Sequence, residues 1–206
     1  MASSAKESRK PSLLSLEDQF TFYSSYHSNP VNKAIHFVCI WPILWTALAL
    51  FASLGARPMP PGVVEFLPLD PHAWDLHWGT LVMLVYLFVY CAMDIFAGGL
   101  AAILVMTCYV TSNLWVAAGG SAAVAGSLHV TGWLAQFYGH GVHEGRSPAL
   151  VDNLFQALLA APLFVLCEVL FELGYKPEMY ARITEQAKRN VSEYQASRAR
   201  PKKKAQ

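Results

Sequence analysis

Apolar and polar positions fall into long blocks along this chain rather than alternating residue by residue. Residues 1–12 are polar throughout and offer nothing to a core, so they read as a disordered tail. From residue 13 to 26 the pattern changes. Leu13, Leu16, Phe20 and Tyr23 recur at three- and four-residue steps with Glu17, Asp18 and Gln19 elsewhere, which predicts an amphipathic helix. Its aromatic residues Phe20, Phe22, Tyr23 and Tyr26 suit a membrane–water interface. His27-Ser28-Asn29-Pro30 is a turn signal, and Asn32 is placed to cap a new helix.

Residues 37–54 then form an uncharged apolar run, near the lower length limit for a bilayer-spanning helix. Pro42 inside it predicts a kink, or a helix start near Trp41. Residues 55–71 are proline-rich and read as a loop. Apolar runs follow at 76–93 and 100–118, broken by Asp94 and Gly98-Gly99. Residues 121–138 are rich in small side chains (Ala122, Ala123, Ala125, Gly126) that favour close helix packing. A last run covers 153–173, with Glu168 inside it and Pro162 predicting a kink. The expected fold is therefore all-α: a polytopic membrane helical bundle of four to five hydrophobic helices, with an N-terminal amphipathic helix and a basic C-terminal tail. The expected division is a tail at 1–12, a membrane domain at 13–174 and a tail at 175–206.

Composition agrees with that pattern. Hydrophobic residues make up 54% of the chain and charged ones only 14%, about half the charged share of an ordinary soluble domain. The charges gather at the two ends. A net charge of +1 gives no reason to expect a nucleic-acid partner; membrane lipid is the expected surroundings. Cys39, Cys91, Cys108 and Cys167 sit one per apolar segment with no paired spacing, and read as buried small hydrophobes. The N-terminal residues lack the apolar core of a cleaved signal peptide. Basic residues at both ends place both tails in the cytosol by the positive-inside rule, which favours an even number of spans, four. The closing Lys203-Lys204-Ala205-Gln206 matches a dilysine retrieval signal for the endoplasmic reticulum, read against the alternative of an ordinary solvated basic tail.

Between two apolar runs lies a dense polar stretch, with Gln136, His140, His143, Glu144 and Arg146. Ionisable side chains at membrane depth are costly and mark a functional-site candidate. The one comparable cluster is His27, Asn29, Asn32 and His36. Imidazoles, alone or with a carboxylate, bind iron, copper or zinc. On a helix, Gln136, His140, His143 and Glu144 share a face. His129 lies eleven residues before His140, roughly 16 Å along a straight helix. It would need a broken helix, or a second metal, to act as a ligand, and it ranks below His27, His36 and His140. Against a metal stands the commoner fate of a histidine near an interface, a satisfied polar group; His72 and His77 fit that reading. The residues alone leave the two readings level. Arg146 is suited to a substrate carboxylate. No nucleotide-binding or serine-hydrolase motif is present.

Two motifs in order, Tyr26-His27 through Asn32 and His36 to Trp41-Pro42, then Trp133 through Gln136, Gly139 and His140 to Glu144-Gly145-Arg146-Ser147-Pro148, resemble the Mpo1-like family. The resemblance covers the chain from Leu16 to about Leu173. It implies an Fe(2+)-dependent dioxygenase of the endoplasmic reticulum membrane, which shortens long-chain 2-hydroxy fatty acids by one carbon with O2 in the α-oxidation that degrades phytosphingosine. It also implies His27, His36 and His140 as metal ligands, with His129 ranked lower. Asn32, Gln136 and Glu144 would serve as catalytic or ring-orienting residues, and Arg146 would contact substrate. His143 has no matching role. Two other classes were weighed. A transporter or scaffold with structural histidines should show internal repeats, and none is convincing. A di-iron desaturase needs more histidine clusters than this chain has.

Overall fold

The computed structural model describes residues 12–145 and 154–199. Helix α1, Leu16–Tyr26, starts where the Ser15 hydroxyl accepts the Asp18 N–H. Helix α2, Pro30–Ser53, starts where the Asn29 side chain accepts the N–H groups of Val31 and Asn32, with Pro30 in the first turn. Proline is at home there because its missing N–H has no helical partner anyway. The helix runs unbroken through Pro42, so it begins eleven residues ahead of the expected alternative start at Trp41. At 24 residues it is roughly 36 Å long.

A one-turn helix α3, Pro61–Val64, and a 3₁₀ turn, Pro71–Trp74, punctuate the following loop. His77 caps α4, Trp78–Met93, and Asp94 caps α5, Ile95–Ala117, through the N–H groups of Phe96 and Ala97. A single residue separates these two helices. Gly98 permits the tight reversal, since a Cβ there would stand 2.0 Å from the Tyr90 carbonyl oxygen. Helix α6, Ala122–Tyr138, continues into a π-helical turn at Gly139–Glu144. A second π-helical segment, Gln156–Ala160, leads into α7, Ala161–Glu172. Pro162 falls in the first turn of α7 rather than mid-helix. Helix α8 spans Pro177–Ala199.

No strand forms among the described residues; Arg57 and Leu76 make an isolated bridging pair. Helices α2 and α5 are long and apolar enough to cross a membrane. The sharply bent pair Gln156–Glu172 and Pro177–Arg198 adds a third if counted as one broken span. The hydrophobic runs at 76–93 and 121–138 become helices of 16 and 17 residues, short of the roughly 20 needed to cross. Caps at His77 and Asp94 clip the first of them. Large apolar side chains such as Val38, Phe88 and Ile103 point outward, as suits a surface facing hydrocarbon rather than water.

The core gathers Leu48, Tyr90, Val105, Tyr109, Leu163 and Phe164, all fully buried. Irregular backbone within it is satisfied by side chains: the hydroxyls of Tyr86 and Tyr90 donate to the carbonyls of Leu158 and Leu159 in the second π-helical segment. Helix α8 lies against α1. It buries Ile183 and Ala187, and Asn190 donates to the Ser25 hydroxyl. At its start, buried Asp94 pairs with Lys176 at 2.5 Å and accepts from Tyr175. Residues 1–11, the 146–153 stretch that includes Arg146, and the dilysine end lie outside the described residues.

Candidate metal centre

Three elements converge on one buried point. The last turn of α1 hands His27 to the junction with α2, α2 supplies His36 from its second turn, and the π-helical turn after α6 supplies His140. All three rings are buried. Their centroids stand 4.3, 4.8 and 4.9 Å apart, and one donor nitrogen from each lies within 4.8 Å of the other two.

Backbone carbonyls set two of the rings. His27 Nδ1 lies 2.8 Å from the Tyr23 carbonyl and His36 Nδ1 lies 2.9 Å from the Asn32 carbonyl, each four residues back. A carbonyl only accepts, so each Nδ1 carries the proton and each Nε2 presents a lone pair. His27 Nε2 is buried and meets no hydrogen-bond partner. Tyr23 also stacks on the His27 ring at 4.0 Å. Burial, reinforced by the neighbouring His36 and His140, holds the His27 imidazole well below its ordinary pKa and hence neutral. Neutral imidazoles with a fixed Nδ1–H and an unspent Nε2 are the donor chemistry that a transition-metal ion requires.

Of the polar residues expected to orient the rings, Asn32 does so through its backbone carbonyl toward His36, while Glu144 and Gln136 do something different. Glu144 ties the two halves of the site together. One carboxylate oxygen accepts from the Ser28 N–H (2.9 Å) and hydroxyl (2.5 Å), the other from the Asn29 N–H (3.0 Å) and the Asn32 amide (3.1 Å). Burial raises the Glu144 pKa, but the bonds from Ser28, Asn29 and Asn32 outweigh it and hold the carboxyl below its ordinary value. Asn32 thus serves through its backbone carbonyl toward His36 and through its amide toward Glu144. Gln136 is buried, at 4% exposure, and neither amide atom has a hydrogen-bond partner. It orients no ring; its donor and acceptor both remain unspent beside the histidines.

The close approach of α2 to the π-helical turn depends on Gly139, where a Cβ would fall 2.5 Å from the Asn32 side-chain oxygen. Widened π turns are a common device for re-aiming a functional side chain, and His140 is the first residue after this glycine.

His129 stands apart from the three-histidine group. Its Nε2 accepts from the Trp133 indole at 3.0 Å, and its Nδ1 lies 3.2 Å from the Ile43 carbonyl and 3.0 Å from the Thr46 hydroxyl. Both nitrogens are spent on hydrogen bonds, so the lower-ranked metal role has no lone pair left to use. His143 meets Tyr138 instead of the other histidines. Residue types alone did not point to Tyr23, although its position four before His27 is a usable helical signal. They also passed over Gln156, near the start of the last apolar run, whose amide bonds the side chain and backbone of Gln19. Glu168, conspicuous in the same run, pairs with Lys33 at 3.2 Å.

The three imidazoles, Gln136 and Gln156 line a cavity of about 40 Å³ whose remaining walls include Ile40, Trp133 and Phe137. No solved structure matches this chain. The Saccharomyces cerevisiae protein named 2-hydroxy-palmitic acid dioxygenase MPO1 is 30% identical over 181 residues, covering 83% of this chain and 88% of its own length. The family described as 2-hydroxy-palmitic acid dioxygenase Mpo1-like matches residues 13–173, a span that holds every histidine of the cluster, and this chain belongs to the Mpo1-like family.

Proposed function

We propose that this protein is an Fe(2+)-dependent dioxygenase that shortens 2-hydroxy fatty acids by one carbon. The observation that carries the reading is the buried trio His27, His36 and His140, the first two with Nδ1–H groups anchored on carbonyls, and the Gln136 amide unspent beside them. The name of the yeast relative supports the substrate class. Iron bound by the three imidazoles would supply the binding and reduction of O2. The chain's own residues do the rest. The fixed tautomers of His27 and His36 keep two Nε2 lone pairs aimed at one point without a proton to lose. Gln136 offers an N–H to the substrate carboxylate and a carbonyl oxygen to its 2-hydroxyl, which orients the bond between C1 and C2, the bond that must break as C2 becomes the new carboxyl carbon. The apolar walls exclude bulk water from that end of the substrate. Glu144 keeps the 28–32 segment against the 139–144 turn, so that ligands distant in sequence share one centre.

The basic 175–206 segment supports a cytosolic side for this end of a membrane protein. A 2-hydroxy acid substrate would make the reaction a step of fatty-acid α-oxidation, as in the breakdown of phytosphingosine.

The test is direct. Protein purified in detergent is assayed for bound metal, then given Fe(2+), O2 and 2-hydroxypalmitate, and the product is read by mass spectrometry. Pentadecanoic acid in iron-dependent yield is expected. Protein that holds no iron and stays inactive after iron is supplied overturns the reading and favours a scaffold.

A further inference from the structure

A cavity of about 40 Å³ has room for roughly three waters, so it accepts the reacting end of a fatty acid and nothing of the tail. Two larger hollows adjoin it. One, of about 400 Å³, runs between α1 and α8; it touches His27 and is edged by Ser24, Lys33, Glu168 and Lys188. The other, of about 360 Å³, shares Ile40, Trp133, Ala157 and Ala161 with the histidine cavity. Its farther walls are Leu44, Ala47, Phe51 and Val82. Its two ionisable side chains are both engaged: the Tyr86 hydroxyl donates to the Leu158 carbonyl, and His129 has both ring nitrogens in hydrogen bonds.

We propose that the second hollow is the acyl-chain site, with the tail lying along α2 and Ala47, Phe51 and Val82 at its far end setting chain length. The proposal rests on the reading of the histidine site given above. Length supports it: from His36 to Phe51 is fifteen positions on one helix, roughly 22 Å at about 1.5 Å each. A zigzag of carbon–carbon bonds advances roughly 1.3 Å per carbon, so the distance accommodates about 17 carbons. Chemistry excludes the first hollow for the tail, because its lysines, glutamate and serines would be stripped of water by a hydrocarbon. A tail arriving from a bilayer leaves one apolar medium for another and gains little affinity from burial. Discrimination therefore comes from steric fit at the far end.

Two measurements test this. In Ala47→Phe, and independently in Val82→Phe, kcat/KM for 2-hydroxypalmitate should fall about tenfold or more while 2-hydroxydecanoate stays within about twofold. Phe51→Ala should shift the optimum toward longer chains. Separately, iron-free protein in detergent is photolabelled with a 2-hydroxypalmitate carrying a terminal diazirine, and the adducts are mapped. Labelling of residues 47–51 and 82–86 is expected. Equal loss at all chain lengths in both Phe variants, an unchanged profile, or labelling confined to α1 and α8 overturns the groove. Wild-type protein that labels in the groove yet turns over no 2-hydroxy acid upholds the acyl site and sinks the activity; turnover with labelling between α1 and α8 does the reverse.

Discussion

His27 and His77 each occupy a junction at the start of a helix, at ends of the bundle separated by about 18 Å of α2, the rise from His36 to Leu48. His77 spends everything. Its Nδ1 accepts from the Gly79 N–H at 3.1 Å and its Nε2 donates to the Asn113 side-chain oxygen at 2.8 Å. Its ring stacks on Tyr109, whose hydroxyl donates to the Asp75 carbonyl. His27 is the more buried of the two and yet leaves Nε2 with no partner. Burying a polar atom without a hydrogen bond costs about 1–3 kcal/mol. A fold that can satisfy His77 so fully has not run out of donors. The contrast sets the trio apart as a buried group that could hold a metal ion, and the other knot as a structural cap.

The sharpest way to break this contrast is to remove each ring. His140→Ala and His27→Ala should lose bound iron and lower turnover by more than about 100-fold, since ligand loss should exceed the 10–100-fold of an outer partner. Iron content and turnover are read per folded molecule, because each deleted ring is buried and also leaves a cavity. His77→Ala should do the opposite, losing about 1–3 kcal/mol of stability while iron content and turnover per folded molecule persist. Iron loss in His77→Ala, or full iron occupancy in His140→Ala, would erase the distinction.

Glu144→Gln comes next. The amide nitrogen would face the Ser28 pair or the Asn29 and Asn32 donors, so two donors lose their acceptor whichever way the amide turns. Iron affinity should drop about 10–100-fold, measured by chelator competition. The same substitution has a pH signature. A carboxyl depressed in the folded state adds stability that is complete above its unfolded value, near about 4.3, and is lost as the pH falls through the lower folded value. Acid unfolding of wild type should therefore steepen as the pH falls from that unfolded value through the lower folded one, and the variant should lack this component. Parallel acid curves would show that Glu144 does not hold the two segments together.

Gln136→Leu separates function from stability in the reverse sense to His77→Ala. Removing an amide that has no partner should leave the metal-free protein equally stable or more stable by about 1 kcal/mol, because an unsatisfied buried group is eliminated. KM for the 2-hydroxy acid should rise about tenfold, for one lost hydrogen-bonding group of about 1.4 kcal/mol. A destabilised variant with normal KM would make Gln136 a structural residue.

How much of this was legible follows from the kind of atom involved. Side-chain identity and spacing made His27, His36 and His140 candidates without deciding for a metal, and the family resemblance implied them as a ligand set. The amphipathic α1 and the apolar α2 and α5 were legible because lipid and water sort residues. Ring orientation was not. The Tyr23 and Asn32 carbonyls do that work, and every residue has a carbonyl. Nor was the true partner of Glu144, since two N–H groups and a serine hydroxyl carry no signature at a separation of more than a hundred residues. Helix α8 looked like a charged tail by composition. Its contact face was nevertheless written in Tyr180, Ile183, Ala187 and Val191, at helical steps.

His129 provides the finest test, because it lies between the two extremes. It lines the apolar groove and sits one helical turn from Trp133, which lines the histidine cavity. The Trp133 indole can only donate, so His129 Nε2 must accept, and the proton resides on Nδ1 facing the Ile43 carbonyl. A ring in that state has no free lone pair and holds Trp133 in place. His129→Ala should cost about 1 kcal/mol of stability by stranding the indole N–H. Iron per chain should stay at the wild-type value, because the trio is complete without it. A fall in iron content, with the fold intact by circular dichroism, would instead require the His129 ring to turn away from Trp133 toward the metal, and would move it from the satisfied class to the unsatisfied one.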